Sequence, residues 1–145
     1  MAVIPLRGKF HLEWYPKTAS TEFIKDDMVE LVPTAAGVGK LALVTSSSAS
    51  VLGLIQKTIA STDTDYASET MVPVLVGDAD AEWLAETTTN AGQSEVGQFI
   101  DASDEDTLDG GTAYTYGVAL VSQYFSTTSL GVKFVKKSGP AITTA

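Results

Sequence analysis

The chain has 145 residues, no cysteine and a formal net charge of −9 at neutral pH, a length at which one domain buries roughly 68–70% of its unfolded surface. The missing thiols exclude disulfides, thiolate nucleophiles and cysteine-held zinc or iron–sulfur centres. The acidity argues against a nucleic-acid partner, which demands clustered lysine and arginine.

No apolar run forms a signal peptide or approaches the roughly 20 residues of a membrane helix. The expectation is a protein made and used without membrane passage and with no membrane partner. The charge is unevenly spread. Residues 58–132 hold thirteen carboxylates and no basic side chain, while all nine basic residues fall before or after that stretch. Such segregation suggests different neighbours for the ends and the middle of the chain, against the plainer reading of a solubilising acidic surface.

Residues 1–22 read as an extended N-terminal arm. Pro5 and Pro16 flank one short alternating run, Lys9 to Tyr15. There Phe10, Leu12 and Trp14 share one face, and Lys9, His11, Glu13 and Tyr15 share the other. Large rings in a proline-bounded segment with few apolar neighbours need a partner to pack on. Phe10, Leu12, Trp14 and Tyr15, with Lys9 and Lys17, are therefore the candidate interface residues. His11, the chain's single histidine, reads as a polar-face residue beside a carboxylate, because no second histidine or cysteine completes a site.

The body of the chain, residues 23–137, reads as short strands with polar turns. The run DDMVELV gives turn and strand, closed by Pro33 and a small-residue turn. KLALVT at 40–45 is the next strand. Val51 to Ile59 is apolar on both faces at its start, which marks a central strand. The valine-rich run Thr70 to Val76 follows a solvated loop, Ser61 to Glu69. The segment DADAEWLAETT is compatible with a helix capped at Asp78, but its threonines favour a strand with Trp83, Ala85 and Thr87 on one side, and Trp83 in the core. EVGQFID reads as a strand with Gly97 at a bulge or close approach. Residues 113–125 form the longest β-like run, bent at Gly117, and Leu130 to Phe134 reads as a closing strand. Residues 138–145 read as a flexible C-terminal tail.

Short strands without a clear amphipathic helix imply an all-β fold, a single antiparallel barrel or sandwich. The acidic sets Asp63, Asp65 and Glu69, and Asp101, Asp104, Glu105, Asp106 and Asp109, are hard-oxygen clusters, but neither has the spacing of an EF-hand loop. They read as solvated loops, so no metal or cofactor is expected. AGVGK lacks the spacing and following Ser or Thr of a phosphate-binding loop. A glycosidase pair would need rigid opposed carboxylates, and a nucleophile–base set would have to use His11 in the arm. No enzymatic activity is expected.

Four segments carry a resemblance. VLGLIQKTIASTDTDY at 51–66, ETMVPVLVG at 69–77, EVGQFID at 95–101 and the closing VKFVKK together resemble the head decoration, or capsid cement, proteins of tailed bacteriophages. The resemblance spans roughly residues 25–136 and is one of strand and loop order. It implies a β domain on the outer face of the virion's capsid, binding the major capsid protein and self-associating as a trimer or dimer, without catalysis. The alternative is a carbohydrate- or receptor-binding β module on the virion surface.

Overall fold

The computed structural model describes residues 3–32, 38–88, 90–110 and 114–135. The expected tail at 138–145, and parts of the turns read at Pro33–Gly37 and around Ala113, lie outside these residues. The fold is all-β, as its short alternating runs imply. In chain order the strands are β1 (Val3–Arg7), β2 (Phe10–Pro16), β3 (Met28–Leu31), β4 (Leu41–Leu43), β5 (Gly53–Ile55) and β6 (Met71–Gly77). There follow β7 (Glu82–Glu86), a 3-10 turn at Gln93–Glu95, β8 (Phe99–Ala102), β9 (Leu108–Asp109), β10 (Ala119–Ser126) and β11 (Ser129–Phe134).

The strands make two antiparallel sheets, one ordered β1-β7-β11-β10-β8-β9 and the other β2-β6-β5-β3-β4. β5 lies at the centre of the second sheet, as its two-faced apolar pattern requires. Leu54 points into a core shared between the sheets, with Met28, Trp83, Ile100, Val121, Leu130 and Val132. Its neighbour Ile55 points the other way, into a second core with Phe23, Val29, Leu41, Ile59, Val72, Val74 and Val76. That second core comes from the five-stranded sheet and the segments flanking its strands, because this sheet curls into a half-barrel. Its outer strands approach at one place, where Lys17 bridges Leu41 and the Thr18 N–H donates to Leu41 O at 3.1 Å.

The valines of β6 line the inside of the curl. Val72, Val74 and Val76 alternate into the barrel side, and branched side chains suit a pleated, buried surface. Pro73 sits in this interior strand without breaking it. It falls opposite Gln56, one residue past the end of β5, and its carbonyl accepts the Gln56 N–H at 2.9 Å. The missing donor therefore coincides with the end of pairing.

Several expectations need correction. Residues 3–16 are not an arm. β1 pairs with β7 at the edge of the six-stranded sheet, and β2 pairs with β6 along its whole length. The chain crosses from one sheet to the other at Gly8, whose φ of +114° favours glycine and where a Cβ would meet Ala81 Cα at 2.8 Å. The rings of β2 lack apolar companions nearby in sequence, but β6 supplies them from about sixty residues away. β11 does not close a sheet; it lies between β7 and β10. Gly97 marks neither a bulge nor a close approach. A Cβ there would meet nothing within 4 Å, and its φ of +92° makes it a left-handed turn leading into β8.

Candidate protein-interaction face

On an antiparallel pair, directly opposed residues share a face. The register sets Leu12 opposite Leu75, Trp14 opposite Pro73 and Pro16 opposite Met71. At the Phe10 end this face turns into the shared core: Phe10 packs edge-on against Trp83 with ring centroids 4.8 Å apart, and lies against Gly77, where a Cβ would come within 3.2 Å of its ring. Toward the other end the face opens to solvent. Leu12 is 55% exposed, Trp14 57% and Met71 53%. Leu12, Trp14, Pro73 and Met71 thus form one apolar strip on paired strands, with the exposed Lys9 beyond its buried end.

The six candidate residues separate accordingly. Leu12 and Trp14 are the exposed anchors. Phe10 is half-buried in the core contact, so its ring serves the fold first. Tyr15 points to the barrel side, where its hydroxyl donates to Glu13 Oε1 at 2.5 Å. Burial, then the hydrogen bond and the negative charge of Glu13, push its phenol up to about 12.

Lys17 has no place on a surface. It is fully buried, and its ammonium donates to Tyr66 O at 2.8 Å and Ser68 O at 2.5 Å. Burial lowers its pKa, while Asp65 and Glu69 pull in the opposite direction. Sequence position suggested a surface cation because lysine is rarely buried; the carbonyls of the 61–69 loop supply the ligands that make burial tolerable.

Three further cations are held in ion pairs of the scaffold. Lys57 pairs with Asp65 at 2.9 Å, Lys40 with Glu69 at 2.6 Å and Arg7 with Glu82 at 2.7 Å. Basic ends and acidic middle, separate in sequence, therefore meet in space. His11 Nε2 lies 2.7 Å from Glu13 Oε2, the carboxylate neighbour expected for it.

In the acidic run, Asp101 accepts the N–H groups of Thr115, Tyr116 and Gly117 at 2.7, 2.7 and 2.6 Å. Burial works against its charge, but these donors hold the carboxyl below its usual range. Asp104 accepts the N–H groups of Asp106 and Thr107 and the Thr107 hydroxyl. These carboxylates organise turns. Among the described residues no group of three or more histidine and acidic side chains is placed to hold a metal ion.

A second exposed aromatic group escaped the sequence reading. Phe99 and Tyr114 stand edge-to-face at 5.8 Å, and Tyr116 is exposed close by in sequence on the turn that Asp101 ties down. The signal was present in the Tyr114 and Tyr116 spacing, but it read as a continuing strand.

Compared by sequence, the chain matches no protein-family model and no curated protein.

Proposed function

We propose that this chain is a structural virion protein that binds the outer surface of a tailed-phage capsid and reinforces contacts between major capsid protein subunits. The observation that carries the docking part of this reading is the strip of exposed Leu12, Trp14 and Met71 around the half-buried Pro73 on paired strands. Aromatic and aliphatic anchors presented on a fixed backbone lose little conformational entropy on docking. The strand and loop order that resembles capsid cement proteins supplies the class of partner. Packaged genome presses outward on a shell, and a protein bridging neighbouring subunits adds area that must be exposed before they part. Each contact can be modest, because many copies act together.

The test is to add the purified protein to undecorated capsids and image them. Decoration of the outer surface, a higher bursting temperature and loss of both with Trp14→Ala are expected. Capsids left bare by a folded wild-type protein would sink the reading.

The exposed Phe99, Tyr114 and Tyr116 favour a second reading, a carbohydrate- or receptor-binding module, since rings held beside hydrogen-bonded loops stack on sugar faces. Glycan arrays separate the two: binding lost in Tyr114→Ala and retained in Trp14→Ala would favour the glycan reading.

A further inference from the structure

We propose that the outer edge of β2, which pairs with no other strand among the described residues, pairs with β2 of a second copy of this chain, antiparallel about a twofold axis through Leu12. The direction of each main-chain group on β2 follows from bonds at its two ends. The Asp78 N–H donates to Lys9 O at 2.9 Å, the Lys17 N–H donates to Thr70 O at 3.0 Å, and the register between them is unbroken. Odd-numbered residues therefore turn their N–H and C=O toward β6. The even-numbered Phe10, Leu12 and Trp14 turn theirs to the outer edge. Thr18 continues the alternation, and its outward N–H is the one that reaches Leu41 on β4. Before that seam, β2 is the terminal strand of its sheet. Exposed edges of this kind template pairing with another strand unless something blunts them.

The residues along the edge select both the occupant and the register. Twofold antiparallel pairing sets outward groups against outward groups, so the axis passes through a residue. With the axis at Leu12, Phe10 faces Trp14 of the second copy and Leu12 faces Leu12. Every outward main-chain group from Phe10 to Trp14 then finds a complement. On the other face, His11 comes opposite Glu13 of the second copy, and Glu13 opposite its His11. Both side chains are solvent-accessible, and the two groups already hydrogen-bond within one strand, His11 Nε2 to Glu13 Oε2 at 2.7 Å.

Moving the axis to Glu13 sets Glu13 against Glu13 and brings Pro16, which has no N–H, opposite Phe10. Moving it to His11 sets the histidines against each other and leaves Trp14 opposite the turn at Gly8. Directly opposed carboxylates destabilise a strand pair, and opposed histidines forgo the contact with Glu13 of the second copy. The Leu12 register alone of these combines a donor–acceptor match between His11 and Glu13 with complete main-chain pairing.

Pairing joins the exposed strips of the two copies into one apolar platform, with the two Leu12 and Trp14 side chains at its centre and Met71 and Pro73 on either side. The pairing stands on strand geometry and does not rest on the capsid reading. A contact of one short strand falls below the roughly 1,200–2,000 Å² of a stable interface. The dimer is therefore weak and concentration-dependent in solution, and strengthened wherever copies are held close together.

Cysteine cross-linking is a clean test because the chain has no cysteine. Opposed residues in a hydrogen-bonded antiparallel pair have Cα atoms about 5.5 Å apart, inside the roughly 4.4–6.8 Å that a disulfide spans. Leu12→Cys should form a covalent dimer on mild oxidation at least ~10-fold faster than Trp14→Cys, whose opposite residue is Phe10. Sedimentation equilibrium on the cysteine-free protein should show a monomer–dimer equilibrium across micromolar to millimolar concentrations.

Leu12→Pro removes an outward donor that β6 does not use, and should abolish the dimer. Should that variant fail to fold, His11→Glu provides the second test. It sets like charges opposite each other and should weaken self-association, and mixing it with Glu13→Lys should restore pairing as a heterodimer. A strictly monomeric wild-type protein, equal cross-linking at positions 12 and 14, or no rescue by the mixture would overturn the proposal. All these readouts are taken without capsids. A monomer that decorates capsids would thus reject the pairing and keep the capsid reading, and a dimer that leaves them bare would do the reverse.

Discussion

Trp14 and Lys17 stand three positions apart on one run of chain and meet opposite surroundings. Trp14 holds a large apolar ring in solvent, 57% exposed, while Lys17 holds a charge at 0% exposure. Residue type alone predicts the reverse. The difference is the company each keeps across the sheet. At Lys17 the half-barrel closes on Leu41, and the 61–69 loop folds over with carbonyls aimed inward. At Trp14 the opposing strand offers only Pro73, and more than half of the residue stays exposed. A seam and an open edge can thus share one strand, and burial follows from the sheet's curvature rather than from hydropathy.

The comparison can be broken most severely by removing both ends at once. Deleting residues 1–20 takes away β1 and β2, the crossing between sheets and the Lys17 clamp. We expect loss of the whole cooperative transition, typically about 5–15 kcal/mol for a domain, read as the disappearance of near-ultraviolet circular dichroism and of a thermal midpoint. A truncated chain that melts cooperatively would restore the arm.

At the seam alone, Lys17→Ala should cost about 2–4 kcal/mol in urea denaturation, because it empties buried volume and removes the donor shared by the Tyr66 and Ser68 carbonyls. Lys17→Met should cost less, about 1–3 kcal/mol, since it fills the volume and loses only the donors. Equal stability of all three proteins would mean that the clamp contributes nothing.

Two carboxylates sharpen the contrast between well and poorly compensated burial through opposite pH dependences. Asp101 has a folded pKa below its ordinary 3.8, so its contribution is present above that value and lost as pH falls through the lower folded pKa. Asp101→Asn should cost about 1–2 kcal/mol at pH 7 and flatten the acid limb of the stability curve.

Asp27 is raised from 3.8 to about 6 by burial, with Glu105, Asp106 and Asp104 adding to the rise against the Ile24 N–H that lowers it. Its folded form holds the proton more tightly. Stability from this group is therefore present below pH 3.8, declines as pH rises through about 6, and is flat beyond. Asp27→Asn keeps an acceptor for the Ile24 N–H and should gain ~1 kcal/mol at pH 7. A steeper fall between those pH values in the variant would contradict the assignment.

At the open edge the effect on folding should be smallest. Trp14→Ala should change stability by no more than about 0.5 kcal/mol, as for other surface positions. Capsid occupancy should drop at least ~10-fold, the loss expected when a central aromatic anchor is truncated. A large stability loss with unchanged occupancy would identify Trp14 as a core residue.

Much of the fold was legible in the chain. The alternation of Val72, Val74 and Val76, the two-faced run around Leu54 and Ile55, and the period-two placement of Trp83, Ala85 and Thr87 all mark strands of the right kind, because the side-chain period of a strand is local. The candidate site was legible in part. Leu12 and Trp14 stood out as rings and aliphatics out of place, whereas Met71 and Pro73 looked like ordinary interior residues of a strand. Their membership of the strip depends on which strand lies beside β6, a pairing across most of the sequence separation between Leu12 and Leu75 that no local pattern encodes.

What the sequence determined by itself is therefore the class of structure and its turns: alternation dictates strands, and glycine, proline and short polar runs dictate where they end. Only the tertiary structure decided that the segments Val3–Arg7 and Phe10–Pro16 belong to the two sheets, that Lys17 is an internal clamp and that Trp14 is the outward anchor. The physical reason is that a residue's period of alternation says which face it occupies, while only the curvature and pairing of distant strands say whether that face is covered.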